Sequence, residues 1–137
     1  MHAIKLCAVG ALYHLMQCGF ATTAQAQPAT LTLACKGTVT SSLDSKAEPL
    51  SMGIIINFTT RTVQGFGLPG ADYPVTITAN DVTVTFSGQK EWDSISGSID
   101  RVTGDVEADF SSYYGRERKT LLRKIYSLQC KPAQRMF

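Results

Sequence analysis

The chain has 137 residues, 44% of them hydrophobic, with 13 Lys and Arg against 11 Asp and Glu. That is one domain's worth of chain, and its net charge of +2 gives no bulk attraction to nucleic acid or to an anionic membrane surface. Both histidines and half of the cysteines fall in the first 26 residues, so the nature of that segment decides which chemistries remain.

Residues 1–26 read as a signal peptide. Met1–Lys5 is a short basic start, Leu6–Met16 is mostly apolar, and Ala24-Gln25-Ala26 is a small-x-small cleavage site, so the mature chain is expected to begin at Gln27. The apolar run covers about 11 residues against roughly 20 for a membrane-spanning helix, so no stable membrane anchor is expected. Gln17 is bulky where a lipoprotein-type site before Cys18 would need a small residue. Cleavage removes His2, His14, Cys7 and Cys18. Lys5 is the only charged residue lost, which leaves 12 basic against 11 acidic side chains. Residues 27–137 then form a single domain with Cys35 and Cys130 as its only cysteines. In an exported chain, periplasmic or secreted, two cysteines are expected to pair, with two free buried thiols as the alternative.

Along the domain, short alternating segments are followed by turn chemistry, the pattern of an all-β chain. Leu31–Val39 alternates Leu31, Leu33, Cys35, Gly37 and Val39 against Thr32, Ala34, Lys36 and Thr38. Thr40–Pro49 reads as a polar connection. Ile54, Ile56 and Phe58 then share a face, a turn is expected over Thr59–Thr62, and Thr62–Phe66 returns with Gly65 and Gly67 opposite Ile56 and Ile54. Leu68–Pro74, with two prolines and a glycine, reads as a loop.

Two hairpins can be registered residue by residue. A two-residue Asn80-Asp81 turn would pair Ala79 with Val82, Ile77 with Val84, and Val75 with Phe86. A turn at Arg101-Val102-Thr103-Gly104 would pair Ile99 with Val106, Gly97 with Ala108, and Ile95 with Phe110, leaving Ser98 against Glu107 and Ser96 against Asp109. Ser111–Thr120 reads as a longer aromatic and basic loop. Leu121–Lys131 is the last strand, and Pro132 is expected to detach the tail Lys131–Phe137. The result is a small antiparallel meander of about eight short strands, expected to close as an up-and-down barrel, with a β-sandwich or open barrel as the alternative. Leu31, Leu33, Ile54, Ile56, Phe58, Val63, Ile77, Val84, Phe86, Ile99, Val106, Phe110 and Leu128 point inward and are sufficient to fill so narrow an interior.

Without histidine or a free thiol, the mature chain excludes Ser-His-Asp, Cys-His and His-ligated metal chemistry. It also lacks the GxSxG, P-loop and dinucleotide glycine patterns. No cofactor and no enzymatic activity are expected. Asp105, Glu107 and Asp109 share one strand face with Asp100 across the turn. Carboxylates strung along a strand about 7 Å apart do not converge as calcium ligands must, so they read as a solvated outer face.

Three places invite contact with something else. Tyr113, Tyr114, Arg116 and Arg118 combine aromatic and guanidinium groups typical of interface anchors, with a plain solvated loop as the alternative. Trp92, the only tryptophan, either covers the barrel end or lines a ligand mouth. The loop around Leu68–Tyr73 is a third contributor. The expected partner is an envelope or extracellular protein, with a small apolar ligand as the weaker reading and nucleic acid not expected.

The segments ACKGTVT, MGIIINF with RTVQGFG, SGSIDRVTGDVEA and YSLQCKPAQRMF resemble a group of small exported proteins of alphaproteobacteria without assigned activity. The resemblance spans the whole mature chain. It implies a bacterial, exported setting and carries over no catalytic residue. In size and strand count the chain is also similar to periplasmic proteinase-inhibitor barrels, an analogy of fold without a shared motif. The reading is therefore a non-catalytic protein-interaction module, inhibitor-like in one form, with an apolar-ligand carrier as the alternative.

Overall fold

A computed structural model of the protein describes residues 29–134. The signal peptide expected over residues 1–26 lies outside the described residues. Nine antiparallel strands form one sheet: β1 Thr30–Ser41, β2 Ala47–Asn57, β3 Thr62–Gln64, β4 Tyr73–Pro74, β5 Thr76–Ala79, β6 Thr83–Lys90, β7 Asp93–Asp100, β8 Asp105–Tyr114 and β9 Lys119–Pro132. Their order is β4-β3-β2-β1-β9-β8-β7-β6-β5, so the first and last strands are neighbours in the middle of the sheet. The two edge strands, β4 and β5, are halves of one run interrupted only at Val75.

This arrangement nearly closes the barrel. β4 pairs with β3 and β5 pairs with β6, so one stretch of chain serves both sides of the seam. Gly88 of β6 lies hard against that stretch. A Cβ there would sit 2.0 Å from the Pro74 carbonyl oxygen and 2.9 Å from the Val75 Cα, so only a glycine lets the backbones meet. The barrel expected from the sequence is the one observed, and the ninth strand is Tyr73–Pro74, inside the stretch read as a loop.

Alternation sets the faces as expected. Leu33, Cys35, Ile54, Ile56, Val63, Val84, Phe86, Ile99, Val106, Phe110 and Leu128 are buried, and Leu31, Phe58 and Ile77 pack against them. The core also takes in Phe66, Tyr73, Ile95 and Tyr126. The Phe66 ring lies 5.9 Å from Phe86 and 5.0 Å from Tyr126, and Tyr73 lies 5.8 Å from Phe110. Aromatic rings thus occupy much of the barrel interior.

Cys35 and Cys130 face each other across β1 and β9 and form a disulfide, with Cα atoms 4.1 Å apart. Ala133 N–H donates to the Thr32 carbonyl at 2.9 Å, which makes Thr32 and Ala133 a hydrogen-bonded pair. Counting along the ladder, Cys35 and Cys130 fall at a non-hydrogen-bonded pair, where facing Cα atoms come closest. The same count makes Pro132, opposite Leu33, a non-hydrogen-bonded position where the missing N–H costs nothing. Pro132 therefore does not detach the tail, and pairing runs on through it.

The β7–β8 hairpin has the expected register throughout, with Gly104 at φ 82° closing the turn. Two other hairpins differ by two residues. Ile77 pairs with Phe86 and Ala79 with Val84, because the Asn80 side chain accepts from the N–H groups of Val82 and Thr83 and builds a longer turn. Ile56 pairs with Val63 rather than Gly65. Asn57 accepts from the Thr59 and Thr60 N–H groups, so β2 stops at Asn57 and a longer turn over residues 58–61 closes with Arg61 at φ 54°. The supposed connection Thr40–Pro49 shrinks to the turn between Ser41 and Ala47, since β1 and β2 extend into it.

Candidate functional site

Strand directions sort the turns into two ends. One end carries the β1–β2 turn, the β3–β4 loop, the β6–β7 turn and the β8–β9 turn, and it gathers every residue singled out for interaction. The stretch Ser111–Thr120 is not a loop. β8 continues to Tyr114, β9 begins at Lys119, and a register shift at Ser112/Tyr113 leads into a tight turn over residues 115–118. Tyrosine and threonine favour extended backbone, which keeps the ladder going through them. Gly115 and Arg118, at φ 75° and 48°, reverse the chain.

The two separate candidates meet here. Tyr113 N–H donates to the Trp92 carbonyl at 2.8 Å, carrying the β7–β8 pairing up into the β6–β7 turn. Arg118 Nη1 donates to Gln89 Oε1 of β6 at 3.2 Å, so the β8–β9 turn leans towards β6. Trp92 is 56% exposed and Tyr114 74% exposed, while Tyr113 is half-buried. Trp92 is thus a turn residue facing solvent and does not cover the core. Leu68 and Leu43, in the neighbouring loops, are 68% and 78% exposed. Arg116 is exposed beside them, and Lys119 pairs with Glu117 at 3.9 Å in full solvent, a contact worth little.

Beneath this rim lies a polar latch that sequence reasoning missed. The buried Tyr73 hydroxyl donates to Asp93 Oδ2 at 3.3 Å and accepts from Leu68 N–H at 3.4 Å. Lys90 Nζ donates to the Asp72 carbonyl at 3.1 Å and stands 5.9 Å from the Tyr73 ring centroid. Gln64 Nε2 donates to Asp72 Oδ1. The latch ties the β3–β4 loop to the β6–β7 turn, beside the two shortest strands, β3 and β4. Burial raises the Tyr73 hydroxyl above its ordinary pKa, the Leu68 N–H opposes this, and the Asp93 charge adds to it. The signal was present in the sequence: Tyr73, Val75 and Ile77 share one parity, and Val75 and Ile77 face the core.

The carboxylates on β8 each have their own partner. Asp105 Oδ2 accepts from Thr103 Oγ1 at 2.8 Å, Glu107 Oε1 from Ser127 Oγ at 2.9 Å, and Asp109 from Arg123 Nε at 2.9 and 3.2 Å. Arg123 Nη2 also donates to Asp109 Oδ2, and the fork holds the guanidinium more firmly charged than usual. Asp100 lies across the turn, its Oδ1 accepting from the N–H groups of Val102 and Thr103 at 2.8 and 3.0 Å, which lowers its pKa. Among the described residues, no group of three or more His, Cys, Asp or Glu is placed to hold a metal ion.

No protein-family model, curated protein or solved structure matches the chain. Its function is therefore read from its own geometry.

Proposed function

We propose that the chain is an exported, non-catalytic interaction module whose partner, an envelope or extracellular protein, docks on the end rimmed by Trp92, Tyr113, Tyr114, Arg116 and Arg118. The observation that carries this is the convergence of Trp92 and Tyr113, joined by a backbone hydrogen bond, with Arg118 reaching across beside them. Tryptophan, tyrosine and arginine are the side chains that most often anchor protein interfaces. Trp92, Tyr114, Arg116 and Arg118 stand exposed on or beside turns that paired strands hold in place, so little ordering remains to be done on binding. Aromatic rings inside the barrel favour an external partner over an apolar ligand at the mouth. A disulfide across β1 and β9 is compatible with an oxidising, exported setting.

The test is a photo-crosslinking amino acid placed at Tyr114, with the same group at Val102 as control. Val102 is 76% exposed at the opposite end of the barrel. A protein adduct in the producing cells from position 114, absent from 102 and weakened by Arg116→Glu, is the expected result. Equal labelling from both positions, or none from 114, overturns the reading. Assays against secreted proteinases then decide whether the mode is inhibitory.

A further inference from the structure

The outer face of β7, β8 and β9 carries a second surface, which adjoins the aromatic end and shares Tyr113 with it. The side chains alternating outward here are Ser94, Ser96 and Ser98 on β7 and Glu107, Asp109, Ser111 and Tyr113 on β8. The register sets Ser94 beside Ser111 and Ser96 beside Asp109, with Arg123 of β9 next to Ser111. Serines are short and their neighbours Tyr113, Arg123 and Ile125 are long, so the face is not flat. It is a trough of two adjoining clefts, about 450 and 280 Å³, which share Ser96, Asp109 and Arg123. The larger cleft is shallow and open, and the smaller one is deeper at Ser111, which points outward yet is only 8% exposed.

Its chemistry selects among ligands. Asp109 and Arg123 neutralise each other, and Glu107, bonded to the uncharged Ser127 hydroxyl, leaves one negative charge at the lower end, so the trough disfavours a phosphate or a carboxylate. What it does offer is a carboxylate beside a guanidinium in one fork, with hydroxyls in line on both sides. Arg123 spends Nε and Nη2 on Asp109, leaving Nη1 as a donor, and of the contacts to Asp109 the 3.4 Å one from the Ser111 hydroxyl is the one a ligand hydroxyl can replace. A vicinal diol matches this pattern, since one hydroxyl accepts from the guanidinium while its neighbour donates to the carboxylate. Tyr113 supplies an aromatic wall at the upper end. Four outward positions from Glu107 to Tyr113 span about 20 Å, long enough for several units of a chain.

We infer that this trough is a binding site for a neutral oligosaccharide, held by the Asp109–Arg123 fork, the serine floor and the Tyr113 ring. The site does not depend on the protein-docking reading of the aromatic end, and Trp92 and Arg116 lie outside it.

The experiment is NMR titration of the isotopically labelled, disulfide-intact chain with maltohexaose, cellohexaose and chitohexaose at millimolar concentration. The expected result is saturable shifts at Ser94, Ser96, Asp109, Ser111, Tyr113 and Arg123 with at least one of the three. Ser96→Trp, which fills the trough from an exposed position, should weaken that binding at least tenfold, and Arg123→Met likewise. Arg116→Glu should leave it unchanged. Near-ultraviolet circular dichroism and thermal unfolding check that each variant is folded. No saturable shift with any probe overturns the inference, and so does binding that survives Ser96→Trp in a folded variant.

Discussion

Strands β1, β2, β8 and β9 run for 12, 11, 10 and 14 residues, whereas β3, β4 and β5 run for 3, 2 and 4. The long strands come from the two ends of the described chain and meet side by side, so the termini build the most continuous part of the barrel. The short ones come from the middle and form its seam. On the long side the backbone ladder and one covalent bond hold the sheet. On the seam, where ladder is scarce, the closure relies on packed rings and on the Tyr73, Asp93, Lys90 and Asp72 latch. The two halves should respond differently to perturbation.

The largest effect belongs to the disulfide. It closes a loop of sequence separation 95, and limiting the unfolded chain to that extent contributes about 4–5 kcal/mol in the loop-entropy picture. Cys35→Ala should therefore lower the denaturant midpoint to that of the reduced wild type. Reduction that leaves the midpoint unmoved would show that the ladder alone suffices on this side.

Gly88 probes the seam. Any side chain there must push β6 away from Pro74 and Val75, backbone against backbone, and overpacking of this kind costs about 1–3 kcal/mol. The contrast lies in where the damage appears. Gly88→Ala should speed amide exchange in β3, β5 and β6 while β1 and β9 keep their protection, since local opening follows local stability. Uniform loss of protection across the sheet would mean that the two sides unfold as one unit.

How much of this was legible in the sequence depends on what alternation can detect. A one-residue slip turns every side chain to the wrong face, and the parity of each hairpin was accordingly readable. A two-residue slip keeps the faces, so nothing in the pattern distinguishes Ile77 opposite Val84 from Ile77 opposite Phe86. Only the turn decides, and there the side chains of Asn80 and Asn57 capture backbone N–H groups and lengthen it. In β7–β8 Gly104 marked the turn by itself, and the register came out right. At the candidate site the residue types were readable as Trp92 and Tyr113–Arg118. Their meeting was not, because it depends on the β7–β8 ladder running one step past Asp93 into the turn. Tyr73 was hidden for a different reason. Pro69, Gly70 and Pro74 punctuate its surroundings as a loop, and only the closing of the barrel makes that loop a strand.

The smallest effect tests the latch itself. Tyr73→Phe keeps the ring against Phe110 and removes the hydroxyl that joins Leu68 N–H to Asp93. A hydrogen-bonded group of this kind contributes about 1 kcal/mol net near neutral pH. The pH dependence gives it a signature. Burial raises the folded-state pKa of Tyr73 above its unfolded value of about 10, so its stabilisation is fully present below pH ~10 and is lost as pH rises through the folded pKa. The phenylalanine variant has nothing to lose there. Thermal unfolding from pH 8 to 11 should show the two curves converging above about pH 10, with the wild type falling faster. Tyr126, whose hydroxyl is also raised by burial, is present in both proteins and cancels in the difference. Parallel curves would mean that the Tyr73 hydroxyl bears no part of the closure, leaving the seam to its rings and to the contact of Gly88 with the strand beside it.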